Sequence, residues 1–98
     1  MTRPARLDDG EVAARLRELP GWTLEGGKLH REWTFRDFVE AFAFMTGTAL
    51  TAEALGHHPE WSNVWNRVTV DLATHDAGGI TALDFDLAAA MQRLAGSR

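Results

Sequence analysis

Apolar residues recur at three- to four-residue steps in three stretches of the chain, which is the spacing of one helix face. The first stretch follows the acidic pair at 8 and 9 and ends at the Pro-Gly pair at 20 and 21. The second runs roughly over 35–55, and the third begins after Thr81 and ends at Gly96. The residues of these stripes are Val12, Leu16 and Leu19, then Phe38, Phe42, Met45, Ala49 and Leu55, then Phe85, Ala88, Met91 and Ala95. The pattern predicts three helices.

Capping signals mark the ends of these helices. Thr34 followed by Asp37, and Thr81 followed by Asp84, both resemble the capping box that begins a helix. Gly56 suits the left-handed conformation that ends one. We therefore expect the second helix to begin after Thr34 and to end at Gly56.

The segments between the helices alternate between apolar and polar residues, as strands do. Strands near 22–25 and 28–34 flank a Gly-Gly pair, which supplies the positive φ of a tight hairpin turn. Strands near 61–65 and 67–75 flank Asn66, which tolerates the left-handed conformation. The sequence predicts two hairpins.

The resulting order, αββαββα, predicts an α+β fold in which three helices pack on one face of a four-stranded antiparallel sheet. The chain has 98 residues, enough for one domain spanning 1–98. We expect Trp22, Trp33 and Trp65 in its core.

Composition narrows the functional classes. Hydrophobic residues make up 45% and charged residues 24% of the chain, as in ordinary globular proteins, and no apolar run is long enough to cross a bilayer. A net charge of −4 makes a nucleic-acid partner unlikely. The absence of cysteine excludes disulfides and thiolate chemistry, and the N-terminus lacks a signal-peptide core. We expect a cytoplasmic protein.

The segment EALGHHPEW, which begins at Glu53, gathers titratable groups where the second helix ends. Glu53 and His57 are four residues apart and would share a helix face, and His58 follows directly. His75 ends the last predicted strand. Imidazoles exchange protons near neutral pH, so these groups predict an acid/base site with Trp61 as its aromatic wall.

The stretch from 44 to 81, FMTGTALTAEALGHHPEWSNVWNRVTVDLATHDAGGIT, resembles the signature region of the pterin-4a-carbinolamine dehydratases. The match combines E-x3-H-H-P-x-W, the segment NVWNRV and a later T-H pair. The resemblance implies a hydro-lyase, 4a-hydroxytetrahydrobiopterin dehydratase, which removes water from a 4a-hydroxytetrahydropterin. Its product is the quinonoid dihydropterin, in tetrahydrobiopterin recycling. The resemblance implies neither a metal nor an organic cofactor.

The resemblance also implies roles for individual residues. His57, His58 and His75 would be the catalytic histidines, with His57 and His75 transferring protons and His58 orienting the pterin. The implied substrate-binding residues are Glu53, Trp61 and Asp84.

Other interpretations stay open. Glu53 and His57 at i, i+4 with further histidines are usable metal ligands. Some relatives act as dimerisation cofactors for homeodomain transcription factors, so the chain could be a non-catalytic binding module. Asp84 is explained by capping alone, Glu53 by solvation on a helix surface, and Trp61 by packing in the core.

We also expect a homodimer or homotetramer, because a small domain with a sheet edge and an aromatic-rich helix has surface to bury against a copy of itself. The chain departs from the family where members often carry a basic residue, at Gly47 in FMTGTAL and at Leu83 before Asp84. Gly47 suggests that another helix approaches closely.

Overall fold

The fold follows the predicted order of elements. A computed structural model of the chain describes residues 4–96. Its elements are α1 (Asp9–Leu16), β1 (Thr23–Glu25), β2 (Lys28–Thr34), α2 (Phe38–Leu55), β3 (Glu60–Val64), β4 (Arg67–Leu72), a 3₁₀ helix (His75–Ala77) and α3 (Ala82–Ala95). The αββαββα prediction is confirmed.

The four strands form one antiparallel sheet in the order β1-β2-β4-β3. β4 lies between β2 and β3, and its pairing with β2 runs from Leu29 opposite Leu72 to Thr34 opposite Arg67. Because side chains alternate along a strand, one face of the sheet is apolar and buried and the other is polar. Buried residues of the sheet are Leu29, Trp33, Val68, Val70 and Leu72. The helices cover this inner face.

Aromatic side chains link the sheet to α2. Trp33 packs edge-on against Trp22, at 5.5 Å between ring centroids, and lies 4.8 Å from the ring of Phe44. Phe35 contacts the same Phe44 ring. Such pairs stabilise a core beyond the area that they bury. These aromatic contacts therefore hold α2 against the central strands of the sheet.

α2 begins later than predicted. The helix starts at Phe38, and the Asp37 side chain caps it by accepting a hydrogen bond of 2.8 Å from the backbone N–H of Glu40. The Thr34–Asp37 capping box is wrong because Thr34 is still paired in β2, opposite Arg67. At the other end Gly56 adopts φ 65°, the predicted left-handed cap.

The turn between β3 and β4 also differs from the prediction. Trp65, not Asn66, has the positive φ of 51°, and its side chain is 64% exposed instead of buried in the core. Asn66 has another task, since its Nδ2 donates to the carbonyl of Phe35 and its own carbonyl accepts from the N–H of Phe35. β4 ends at Leu72, so His75 begins a 3₁₀ helix and does not end a strand.

The sequence led us to expect no apolar run long enough to cross a bilayer, but α2 is long and apolar enough by length and composition. Its 18 residues have a mean hydropathy of 1.2, which meets the length and composition of a membrane span, and 22% of them are buried. That expectation was wrong because only Glu40 and Glu53 are charged in this helix. The helix that approaches Gly47 is α3 of the same chain, since a Cβ at Gly47 would lie 3.3 Å from Leu94.

Candidate active site

A cleft of about 250 Å³ lies where α2 and β4 end. It is lined by Gly56, His57, His58, Ala73, Thr74, His75 and Asp76. The structure thus brings the three histidines of the sequence analysis to one place. A larger groove of about 380 Å³ lies between α1 and α3, but its lining residues, Arg15, Glu18, Leu19, Phe85, Asp86 and Ala89, include no histidine. The cleft is the better candidate for proton chemistry at neutral pH.

His57 is buried because of the way α2 ends. The left-handed Gly56 turns the chain, and the N–H of His57 donates to the carbonyl of Ala52, which directs His57 beneath the end of the helix. There its Nε2 lies 2.5 Å from Oδ1 of Asp84. An ionised carboxylate only accepts, so Nε2 carries the hydrogen and Nδ1 is the nitrogen left for another partner.

Asp84 is fully buried and its second oxygen is also satisfied. Oδ2 accepts hydrogen bonds from Thr74 Oγ1, at 2.8 Å, and from the N–H of Thr81, at 2.9 Å. Because Thr74 has one hydroxyl hydrogen, the 2.8 Å contact between the two threonine hydroxyls has Thr81 as its donor. Asp84 therefore caps α3, as predicted, and also binds His57.

His58 pairs with Glu53 on the protein surface. His58 Nε2 lies 2.9 Å from Oε1 of Glu53, and both side chains are exposed. The sequence placed Glu53 on one helix face with His57, four residues on. The two side chains do not meet, because the turn at Gly56 directs His57 inward to Asp84 and leaves His58 on the side of Glu53.

His75 is approached by a carboxylate that the sequence analysis missed. Its Nε2 lies 3.4 Å from Oε1 of Glu60, and the other oxygen of Glu60 is 2.8 Å from Nζ of Lys28. The hydrogen bond from Lys28 holds the pKa of Glu60 below its usual value, and the same bond raises the pKa of Lys28. Alternation along β3 signals that Glu60 points away from the core. Only the strand order shows that Lys28 reaches it.

Comparison with known proteins assigns the chain to a family. The sequence profile described as Pterin 4 alpha carbinolamine dehydratase matches residues 5–94. The chain belongs to this family. A protein from Solibacter usitatus, provisionally named pterin-4-alpha-carbinolamine dehydratase, is 60% identical over 90 residues, which are 92% of this chain and 95% of that protein. A relative from Sinorhizobium fredii with the same provisional name is 51% identical over 98 residues, 98% of this chain and 93% of its own.

A solved structure shares the fold. The crystal structure of a transcriptional coactivator/pterin dehydratase from Brucella melitensis superposes with a TM-score of 0.90 at 47% identity. The match covers 93% of this chain and 99% of that one. The single domain with its sheet and three helices is therefore the architecture of a solved pterin dehydratase.

Three residues that the resemblance implied as substrate-binding in this pterin-4a-carbinolamine dehydratase family member, Glu53, Trp61 and Asp84, do not line the cleft. Glu53 and the fully buried Asp84 contact histidines that do. Trp61 is on the inner face of β3, half-buried and packed against the hydrophobic core, and is not among the residues that line the cleft. An aromatic residue pointing inward from a strand next to β4 is held by the core whether or not a ligand is present. Trp61 is better explained by packing than as a pocket wall.

The carboxylates that contact the three histidines do not converge on a common point. Each pairs with a different histidine, and within residues 4–96 no three histidine, aspartate or glutamate side chains are arranged to hold a metal ion. The arrangement instead provides three imidazoles whose orientations are set separately.

The buried carboxylate predicts a stability effect. In Asp84→Asn the amide oxygen keeps the bonds from Thr74 and Thr81 only if its NH₂ faces His57, so the ring hydrogen of His57 must move to Nδ1 and the buried hydrogen bonds lose the charge of the carboxylate. We expect the free energy of unfolding to fall by about 1–3 kcal/mol, measured by urea denaturation. Asp86→Asn is the matched control, because Asp86 is exposed on the same helix and should change stability by less than about 0.5 kcal/mol. If the two substitutions lowered the free energy of unfolding equally, the buried hydrogen bonds of Asp84 would not contribute the stability that we assign to them.

Proposed function

We propose that the protein dehydrates a 4a-hydroxytetrahydropterin to the quinonoid dihydropterin by histidine acid/base catalysis, in the recycling of a tetrahydropterin cofactor. Membership of the dehydratase family supports the substrate class. The observation that carries the proposal is the cleft itself, where three imidazoles meet and each contacts its own carboxylate.

The reaction needs two proton transfers and no change of oxidation state. An acid protonates the hydroxyl on carbon 4a, the C–O bond breaks and water leaves. A base takes the proton from the neighbouring ring nitrogen, and the electron pair of the broken N–H bond forms the C=N bond to carbon 4a. Imidazoles do both at neutral pH, and fixed donors and acceptors lower the barrier because they need no reorganisation.

The surroundings of the three histidines support different roles for them in the reaction. His57 is held by a buried partner, and His75 lines the same cleft from the 3₁₀ helix that follows β4, so we assign the two proton transfers to these residues. His58, on the exposed surface with Glu53, orients the pterin. Asp84 holds the ring of His57 from below, so its contribution to the site goes through that histidine.

Activity measurements test this assignment. The carbinolamine is generated with a phenylalanine hydroxylase, and its dehydration is followed with and without the protein. His57→Ala and His75→Ala should each slow the reaction by about 10²-fold or more, the scale of a general acid or base. His30→Ala is the control, because His30 binds Asp71 on the outer face of the sheet. Dialysis against a chelator should leave the rate unchanged.

Two results would contradict the proposal. Full activity in both cleft variants would remove the histidines from the reaction. A large loss on chelation that zinc restores would instead support a metal-dependent enzyme.

A binding module is the second candidate function. The solved Brucella structure is described as a transcriptional coactivator as well as a pterin dehydratase, and α2 exposes apolar residues that a partner can cover. The activity assay separates the two, since a pure binding module would not accelerate dehydration.

We propose that a second copy of this chain covers the outer face of α2. Val39, Phe42 and Leu50 are exposed along this helix, with Leu94 of α3 beside them. Residues 41–52 carry no charge, so two such faces pack together without like-charge repulsion. Small residues at 43, 46 and 49 allow the helices to approach closely.

Sedimentation tests the interface. The unmodified protein should sediment as a dimer or a higher oligomer at micromolar concentration, and Leu50→Glu should shift it toward the monomer because a charge would be buried at the contact. Glu18→Gln on α1 serves as a control away from α2. A monomeric unmodified protein, or an oligomer indifferent to Leu50→Glu, would refute this interface.

A further inference from the structure

Each histidine of the cleft contacts a carboxylate from a different element: Asp84 of α3, Glu53 of α2 and Glu60 of β3. We propose that Glu60 is a positioning residue for His75 and that Lys28, by holding the second oxygen of Glu60, sets how strongly Glu60 acts. This inference rests on the proposed dehydration, because it assigns His75 a proton to transfer.

The strand order makes this contact possible. β2 and β3 lie on either side of β4, and Glu60 is in register with Asp71 of β4. Lys28, the first residue of β2, therefore reaches Glu60 across the polar outer face of the central strand. His75 follows three residues after the end of β4 and meets the same carboxylate from beyond the strand end.

The contact orients the imidazole. The nitrogen of His75 that faces Glu60 is Nε2, at 3.4 Å from Oε1. A carboxylate favours a hydrogen on the nitrogen nearest to it, which leaves Nδ1 as the atom that exchanges a proton with a ligand. The His75 side chain is 83% exposed, so without Glu60 little packing would hold its ring in one orientation.

Lys28 and Glu60 affect His75 in opposite directions. The lowered pKa of Glu60 keeps it ionised wherever histidine titrates, so its charge stabilises the imidazolium of His75. The ammonium of Lys28, 2.8 Å from Oε2, draws the negative charge of the carboxylate into their hydrogen bond and so weakens the interaction of Glu60 with His75. The other charged or titratable groups nearby are Asp71 on β4, Asp76 next in the chain, and His57 and His58 across the cleft.

The effect should grow when a ligand binds. Glu60 and Lys28 are 45% and 36% exposed, and ion pairs in water are weak and screened by salt. A planar ring seated in the cleft excludes water from one side of His75, which strengthens the interaction with Glu60. Because kcat reports groups in the enzyme–substrate complex and kcat/KM reports those of the free enzyme, the larger change is expected in kcat.

The experiment compares Glu60→Gln, Lys28→Gln, the double variant, and Glu32→Gln as a control with the same charge change on the outer face of β2. The readouts are the pH profiles of kcat and kcat/KM and the NMR titration of the His75 ring signals. In Glu60→Gln the titration and the matching limb of the profile should move to lower pH. In Lys28→Gln they should move to higher pH.

Each displacement should reach about half a pH unit at low salt, a threefold change in the ratio of protonated to neutral imidazole, and should shrink in about 1 M salt. The double variant should match Glu60→Gln, because Lys28 acts through Glu60. Glu32→Gln should leave both readouts in place.

The inference would be overturned if Glu60→Gln and Lys28→Gln moved the His75 titration in the same direction. It would also be overturned if neither moved it further than Glu32→Gln does. A double variant in which Lys28→Gln keeps its full effect would overturn it as well. If the unmodified protein fails to dehydrate the carbinolamine, the proposed function fails instead, and the NMR titrations alone still decide whether Glu60 and Lys28 control His75.

Discussion

The buried carboxylate of Asp84 is the constraint on which the site depends. A carboxylate removed from water is unfavourable unless its oxygens are hydrogen-bonded, and here His57, Thr74 and the N–H of Thr81 provide those bonds. The donors come from the end of α2, the segment after β4 and the start of α3. These three parts of the chain must be in register for Asp84 to be satisfied, so folding and assembly of the cleft are one event.

The three histidines differ in how they are held, and this difference bears on their roles. His57 lies in the protein interior with a partner that the fold fixes, whereas His58 and His75 are exposed and contact carboxylates on the surface. A buried pair keeps its geometry in the empty cleft and in the occupied one. An exposed pair is weakened by water until a ligand displaces that water. The cleft therefore combines one histidine that the fold holds in place with two whose contacts with carboxylates would strengthen if a ligand excludes water.

Local signals in the sequence predicted much of the fold. The alternation in β4, the glycine at 56 and the Thr81–Asp84 pair each act over a few residues, and the structure has the corresponding strand, helix end and capping box. The capping prediction at Thr34 failed because pairing of β2 with β4 extends through that residue. Trp65 was expected in the core on composition alone, but the two-residue turn places it in solvent.

The partners of the site residues were harder to predict because they depend on three-dimensional arrangement. Helical spacing placed Glu53 and His57 on one face, but the left-handed turn at Gly56 makes His58 the partner of Glu53. The contact of Lys28 with Glu60 joins residues 32 positions apart. It forms because β2 and β3 lie on either side of β4, so the two side chains meet across that one strand. Such contacts follow from strand order, which no local pattern encodes.

The central claim is that a pterin ring binds among His57, His58 and His75. A crystal structure with a stable, non-reacting dihydropterin tests it most directly. The account predicts that the ring lies in the cleft at the ends of α2 and β4, within hydrogen-bonding distance of His57 and His75. A ring bound in the groove between α1 and α3, beside Arg15 and Phe85, would contradict it.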